Sequence, residues 1–476
     1  AENCTILNNT VTGNSYGIKL ETAENCLVKD NLITSNGLGV EIYYSSKNVV
    51  VHNTIADNSE NGMLIKDSSD NTVIYNTIAR SRKHGLYIEN SPRNTICNNS
   101  FQNDGLCISP YYENPGIIIA NNTVNGKPLV YLENASEVLI EDAGQVILVN
   151  CSNIIIRNSN LSYADIGVEL WKVNNVIVVN NTMINNSWCG IYIEGSASRE
   201  VVNTSVGIFN NTIVGCNRGV YIYRASGNTI AGNKISYSGE YGIYLFVAPH
   251  NAVINNTVSH SHGEGIDIYY DSDDVVVAEN TITDCLWYGI AAGASERIYV
   301  INNSLARNGG VTSGGISFSG IVDGIIAGNT IVDSVLMSIY IATGSCLIDT
   351  NITVFGNTII SSAEYGIYLN GASNTTIASN TIAGCPEKAI VSLYSRKQMF
   401  FNNTIEGANK TGMYVGGCSN VSIFGNTITE SRTGMQLKYC EDITIALNQL
   451  TTPKCGVALY SVDIAVIAGN SILSGG

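Results

Sequence analysis

The sequence is poor in charge. Asp, Glu, Lys and Arg make up only 13% of its 476 residues. What charge there is leans acidic, 39 against 24, for a net −15 at pH 7. A nucleic-acid-binding surface needs a basic face, so that class of function is excluded. No stretch of about 18 apolar residues occurs, so no membrane-spanning helix is expected. Proline is scarce at 7, and no Pro-rich or Ser-rich linker breaks the chain. It therefore reads as one continuous domain over 1–476. Histidine numbers only 5 and no Cys-x-x-Cys pair occurs, so neither a zinc site nor a cofactor is expected. The chain starts at Ala1 with neither Met nor a signal peptide. That is the pattern of a removed leader or of a piece excised from a longer protein.

Asn, Thr and 46 Gly fill the space that charge leaves. Residues 366–385, GIYLNGASNTTIASNTIAGC, contain the unit that recurs. Three short pieces alternate apolar and polar residues with period 2, as half-buried strands do. The marker is an Asn before Thr-Ile or its equivalent. It recurs as Asn9, Asn31, Asn53, Asn76, Asn99, Asn122, Asn158, Asn181, Asn211, Asn233, Asn256, Asn280, Asn303, Asn329, Asn357, Asn380, Asn403, Asn426, Asn448 and Asn470. Most gaps are about 22 to 24 residues, the period of a solenoid. Longer gaps place insertions near 126–150, 195–207 and 343–353.

The second and fourth residues of the Gly-Ile-x-Leu piece are apolar and expected to point inward; the third points out. Gly before this strand is expected to permit a sharp turn. The residue before the marker Asn is Asn at 8, 98, 121, 180, 210, 255, 302 and 402, and Gly at 232, 328, 356, 425 and 469. Both residue types tolerate the left-handed conformation. A left-handed residue followed by an inward Asn makes a corner between two strands. Three strands and their corners in about 23 residues make one coil of an all-β, right-handed parallel β-helix. A ladder of inward Asn side chains would bond coil to coil. About 20 coils rising about 4.8 Å each would give a rod of roughly 95 Å.

This pattern resembles the right-handed parallel β-helix repeats of the NosD-like, carbohydrate-binding and sugar-hydrolase family. The resemblance covers the whole chain. The segment NGKPLVYLENASEVLIEDAGQVILVNCSNIIIRNSNLS, 125–162, looks like a unit of archaeal members, some of them surface proteins. The resemblance implies the fold strongly. It implies function weakly, because the fold hosts pectinases, lyases, epimerases, adhesins and structural proteins. A periplasmic accessory role in copper-enzyme maturation is implied by the family name alone.

Candidate sites are few. A sugar hydrolase of this fold would need clustered carboxylates on adjacent coils. Asp267, Asp271, Asp273 and Asp274 are the best group, but Asp267 has only Tyr244 and Ala291 as outward neighbours. An acidic solvated turn is the expected reading, with no catalytic residue assigned. His260 and His262 would share one side of an extended segment and could take Cu or Zn, yet no third ligand is evident. Trp171, Tyr192, Tyr221, Tyr223, Tyr244, Phe246 and Tyr269 predict an exposed aromatic patch. It would be a self-stabilising ladder, a protein contact or a platform for sugar rings.

Cys4 and Cys26, and likewise Cys418 and Cys440, lie one period apart. They are expected to stack as disulfides or as free thiols. Asn-x-Ser/Thr sequons are dense: Asn8, Asn98, Asn121, Asn134, Asn150, Asn180, Asn185, Asn203, Asn210, Asn255, Asn302, Asn351, Asn374, Asn402, Asn409 and Asn420 are glycosylation candidates. Neither end of the repeat array carries a cap, which predicts a fragment or end-to-end stacking into a filament. The leading expectation is a secreted or cell-surface structural glycoprotein without catalysis. A carbohydrate-binding or carbohydrate-processing protein stands as the alternative.

Overall fold

Period-2 alternation becomes parallel strands that stack coil on coil. The computed structural model describes residues 1–109, 116–196, 200–343 and 350–474. Among them every regular element is a strand, arranged as a right-handed parallel β-helix of about 20 coils with three strands per coil. Two compact units, Ala1–Asn228 and Thr229–Gly476, make up the chain.

In the first unit, a first sheet runs through Tyr16–Glu21, Leu38–Tyr43, Met63–Lys66, Leu86–Glu89 and Leu106–Ser109. A second holds Thr5–Leu7, Leu27–Lys29, Val49–Val51, Thr72–Ile74, Thr95–Cys97 and Ile118–Ala120. The third sheet stacks Ile33 on Ile55, Ile55 on Ile78 and Ile78 on Phe101, all with no solvent exposure. Burying each such side chain contributes roughly 1.5–3 kcal/mol against exposure.

The pattern breaks at Asn125. Thr123–Val124 turns back antiparallel onto Lys127 and Pro128. Leu129 then pairs with Gln145, a shortened coil of 16 residues that lacks the third strand. The stretch 126–150 is thus a hairpin and a truncated coil. Farther on, the Asn181–Asn211 gap of 30 residues holds an extra strand, Val202–Asn203, paired with Ala225–Ser226. Of the expected insertions, 197–199 and 344–349 lie outside the described residues.

The second unit repeats the plan more regularly. Its outward and inward alternation is plain in Ile266–Tyr269, where Ile266 and Ile268 are buried, Asp267 is half-buried and Tyr269 is exposed. Toward its end the first and second strands of a coil merge, as in Thr433–Ala446.

The marker Asn does the work of a corner brace. Asn280 N–H donates to Asn303 Oδ1 at 2.9 Å. Its Nδ2 donates to Val253 and Ala278 carbonyls at 2.8 and 3.0 Å and to Asn303 Oδ1 at 3.0 Å. Such bonds link Asn9 through Asn122 in the first unit and Asn233 through Asn470 in the second. All eight corner Asn and all five corner Gly have positive φ, between 52° and 68°.

Asn158 is a correction. It sits at φ 51°, exposed, in the corner position, and Ser159 takes the ladder position. Ser159 Oγ accepts from Ala143 N–H at 3.2 Å, and its own N–H donates to Asn181 Oδ1 at 3.0 Å. The truncated coil shifts the frame by one residue, and a one-residue slip turns an inward side chain outward.

Further ladders occupy the other corners. Cys26 N–H donates to Asn48 Oδ1, and Asn48 and Asn71 continue to Asn94. Ala23 N–H donates to Ser45 Oγ, and Ser45 and Ser68 continue to Ser91 as a hydroxyl column. The glycines before the first strand serve close approach and not a turn. A Cβ on Gly39 would lie 2.3 Å from Gly62 O and 2.7 Å from Ile55 Cγ2, so only a bare Cα lets the coils stack.

Candidate functional site

The outward face of the first sheet carries the chemistry in both units. In the first unit, the register places Ile147 beside Glu169, Glu169 beside Tyr192, and Tyr192 beside Tyr221. Glu169 is fully buried. Its Oε1 accepts the indole N–H of Trp171 at 2.8 Å and the backbone N–H of Ile108 at 3.2 Å. Burial pushes its carboxyl up to about 8. Glu194, buried and in register with Trp171, accepts from the Tyr192 hydroxyl and rises to about 7, again through burial. Asp165 accepts from Gly85 N–H at 3.1 Å and faces His84 Nδ1 at 3.4 Å. Asp104 accepts from Ser81 N–H at 2.8 Å, and burial and then the Asp165 charge raise it to about 8.

These groups close a seam. Leu106–Ser109 is the last strand of its sheet, and side chains stand in for the missing neighbour. Gln145 accepts from Leu106 N–H at 3.0 Å and donates to Leu106 O at 2.6 Å. Glu169 serves Ile108. The expected exposed patch is corrected here: Trp171, Tyr192 and Tyr223 are 5%, 4% and 9% exposed. Trp188 lies 4.9 Å from Tyr192, whose ring also meets Trp171 at 5.2 Å. The aromatic rings pack on one another and on the buried acids, so they present no open platform.

The second unit keeps its aromatic face open. One outward column reads Tyr244, Asp267, Ala291, Ser317, Tyr340 and Tyr368 in successive coils. The next reads Phe246, Tyr269, Gly293 and Ser319. Phe246 stacks with Tyr269 at 6.1 Å, and Tyr241 with Tyr244 at 4.6 Å. Tyr269 and Tyr270 are 47% and 51% exposed. Between these rings and the Tyr340–Tyr368 pair lies a floor of Ala291, Gly293 and Ser317.

Asp267 has the partner that strand neighbours do not reveal. Glu264, three residues earlier, bears on it across the turn that enters the strand. Burial, then the Glu264 charge, lifts Asp267 to about 8, and burial raises Glu264 as well. Tyr288 joins them, hydrogen-bonded to Ser317 and near Tyr340, with its hydroxyl raised mainly by burial. A carboxyl that keeps its proton to about pH 8, as Asp267 does, can donate a hydrogen bond to a ligand, and the Glu264 carboxyl beside it can accept one.

Other expected sites resolve differently. Asp274 pairs with Arg297 at 2.7 Å, and Asp273 Oδ1 accepts from Glu296 N–H at 2.8 Å, so that acidic turn is braced by its neighbours. His260 sits at φ 57° stacked on Tyr237, so the His260–His262 segment is not extended and its two rings do not share a side. The described cysteines are free thiols. Cys26 Sγ donates to Glu24 O at 3.5 Å and Cys440 Sγ to Lys438 O at 3.3 Å, each bridging its own turn as a ladder Asn does. Cys4 and Cys418 behave alike, toward Glu2 O at 3.5 Å and Gly416 O at 3.4 Å. Of the sixteen candidate sequon Asn, Asn98 is half-buried and all others are exposed.

A solenoid with inward Asn ladders and a chemically varied outer sheet defines the class: a right-handed parallel β-helix protein. The chain belongs to the NosD family, described as periplasmic copper-binding protein, whose profile matches residues 1–139 and 130–313. A right-handed β-helix profile matches 314–472. No curated protein matches the sequence. Among solved structures it is similar to the catalytic unit of a GH87 α-1,3-glucanase from Streptomyces thermodiastaticus, with 14% identity, TM-score 0.43, and 60% of this chain and 59% of that one covered. The chain thus spans somewhat over half of that glucanase unit. A periplasmic alginate epimerase is similar at 14% identity, TM-score 0.38, covering 72% and 78%. The GH136 lacto-N-biosidase of Eubacterium ramulus follows at 11% identity, TM-score 0.39, covering 62% of each chain.

Copper named in the family description finds no matching donor set. Among the described residues no group of three or more His, Cys, Asp or Glu side chains is arranged to hold a metal ion. His52 stacks on Tyr75, His84 on Tyr87 and His260 on Tyr237, each apart from the others.

Proposed function

We propose that this chain is an exported glycan-binding β-helix whose binding face is the outward surface of the first sheet in the second unit. The observation that carries the reading is the column Tyr244–Asp267–Ala291–Ser317–Tyr340, with Glu264 beside it. Exposed rings offer faces on which sugar rings stack. A floor of small residues leaves room between two aromatic walls. Protonated Asp267 supplies a donor toward a sugar hydroxyl, the Glu264 carboxyl an acceptor, and Ser317 a hydroxyl. Export is supported by the periplasmic description of the family. Among the described residues no helix is long and apolar enough to cross a membrane.

The test is an oligosaccharide array probed with the purified chain, followed by titration with the best ligand. Phe246→Ala and Tyr244→Ala should each weaken binding about fivefold, since ring stacking is worth about 1 kcal/mol per contact. A ligand bound equally well by both variants would remove this face from the reading.

A second reading, a structural glycoprotein of the cell surface or extracellular space, is favoured by one observation: the sequon Asn side chains ring the outside of the coils. End-to-end self-association belongs to that reading. Intact mass of protein from an N-glycosylating host tests the first part. Concentration-independent monomers in sedimentation would remove the second.

A further inference from the structure

Successive first strands Ile243–Phe246, Ile266–Tyr269, Ile290–Gly293, Ile316–Ser319 and Met337–Ala342 carry the open face of the second unit. Each pairs in register with the next, so the face climbs about 4.8 Å per strand. Phe246 and Tyr269 are partners in register, and their rings lie 17° from parallel with centroids 6.1 Å apart. Gly293 is next in that column. A Cβ there would sit 3.0 Å from Cδ2 and 3.2 Å from Cε2 of Tyr269. The Tyr269 ring therefore leans along the axis into the space the glycine leaves, and it remains 47% exposed. The two rings follow one another along the solenoid as a strip.

Beyond the strip the face drops. The outward residues of the next two coils are Ala291 and Gly293, then Ser317 and Ser319, none larger than a hydroxymethyl group. It rises again at Tyr340, whose ring meets that of Tyr368 at 5.9 Å. Tyr269 and Tyr340 stand three coils apart, about 14 Å along the axis. Across the strands the two outward columns are only two residues apart, roughly 7 Å. The face is thus longer along the axis than across it. The rise per coil also approximates the length of one sugar unit in an extended chain, so sugars and coils keep step. Charge narrows the ligand further. These strands contain a single acid, Asp267, and no Lys or Arg. A carboxylated or sulfated sugar would meet Asp267 there with no cation to pair it.

We infer that this face takes a neutral, extended, linear oligosaccharide of about five units lying along the helix axis, one sugar per coil. Phe246 and Tyr269 stack the first two sugars, the small residues of the next two coils admit the third and fourth, and Tyr340 stacks the fifth. Gly293 is a positioning residue: its bare Cα lets the Tyr269 ring lie along the axis. The inference rests on the glycan-binding reading of the same face and adds the length, direction and charge class of the ligand.

Calorimetric titration of the full chain with size-graded oligosaccharides tests it. The neutral series are β-1,4-linked gluco-, manno-, xylo- and N-acetylchito-oligosaccharides of two to six units, and oligogalacturonides are the acidic series. At least one neutral series should gain about tenfold in affinity from two units to five, and less than about twofold from five to six. Tyr269→Ala should weaken every length about fivefold. Tyr340→Ala should weaken the five-unit sugar about fivefold and erase the gain between four units and five. Gly293→Ala should weaken binding too, and should add nothing in the Tyr269→Ala background; a further loss there overturns its positioning role. Affinity that levels off at two or three units overturns the inference. So does Tyr340→Ala if it changes no length, or changes all lengths equally, since the ligand would then not run from Tyr269 to Tyr340. Oligogalacturonides bound as tightly as the neutral sugars overturn the charge class. If none of the neutral series binds while an array glycan does, the inference falls and the glycan reading stands. If no glycan binds at all, both fall.

Discussion

Glu169 Oε1 accepts the backbone N–H of Ile108 at 3.2 Å, across 61 positions of sequence. A side chain there stands in for the strand neighbour that Leu106–Ser109 lacks at the end of its sheet. The carboxyl is fully buried and keeps its proton to about pH 8, as does Asp104 nearby. For a carboxyl whose folded pKa lies above its unfolded value, the unfolded chain releases the proton first. Stability is therefore greatest below about pH 4 and falls as pH rises toward 8. Urea midpoints should decline steadily across that window. Glu169→Gln should flatten the decline and raise the midpoint at pH 8. An unchanged pH profile in the variant would show that Glu169 is not its source.

The ladder makes a sharper demand on stability. Asn280→Ala removes the acceptor of Asn256 N–H and the donor to Val253 O, both buried. Unsatisfied buried groups cost about 1–3 kcal/mol each, so about 2–4 kcal/mol is expected in denaturant unfolding. The second-unit ladder is unbroken from Asn233 to Asn470, so similar losses should follow at Asn357 or Asn403.

Gly39→Ala tests the close approach of coils. Its Cβ would stand 2.3 Å from Gly62 O, so the coils must part. A loss of about 1–3 kcal/mol is expected, in line with overpacking of a tight interior. Gly13→Ala, where nothing lies within 4 Å of the added Cβ but φ is 75°, should cost only the strain of a left-handed alanine, about 1 kcal/mol.

Thiol chemistry follows burial. Among the described cysteines Cys4 is exposed and Cys97 and Cys455 are half-buried. Burial drives Cys216 and Cys385 to about 12 and Cys107 well above its ordinary value. Iodoacetamide at pH 8 should label Cys4 first in the native protein and leave Cys107, Cys216 and Cys385 untouched until denaturant is added. Peptide mass mapping reads the order.

In a host that adds N-glycans, neighbouring sequons should compete. Asn150 Nδ2 donates to Asn134 Oδ1 one shortened coil away, and Asn374 Nδ2 to Asn351 Oδ1 at 3.2 Å. A glycan on Asn150 takes one of the two Nδ2 hydrogens and crowds the sugar of its neighbour. Glycopeptide analysis should find one Asn of each pair occupied, and seldom both.

Much of the solenoid was written in the sequence, because each coil specifies itself. The alternation of Ile18, Lys19 and Leu20 and the Asn-Asn-Thr corner act within one coil. The same corner recurs in the next, so period alone locates sheets, corners and ladder. The frame shift that makes Ser159, and not Asn158, the ladder residue escaped because it depends on a coil that lost a strand. The carboxylates escaped for a different reason. Glu169 and Asp267 both occupy outward positions, where local pattern predicts solvent. Whether an outward side chain meets water is decided by what other coils lay over it. Trp188 and the seam at Leu106–Ser109 bury Glu169 and Tyr192, and Glu264 turns toward Asp267. Inward burial is a property of the repeat and was legible residue by residue. Outward burial, and with it every group able to do chemistry, is a property of how unlike coils meet, and only the tertiary structure decided it.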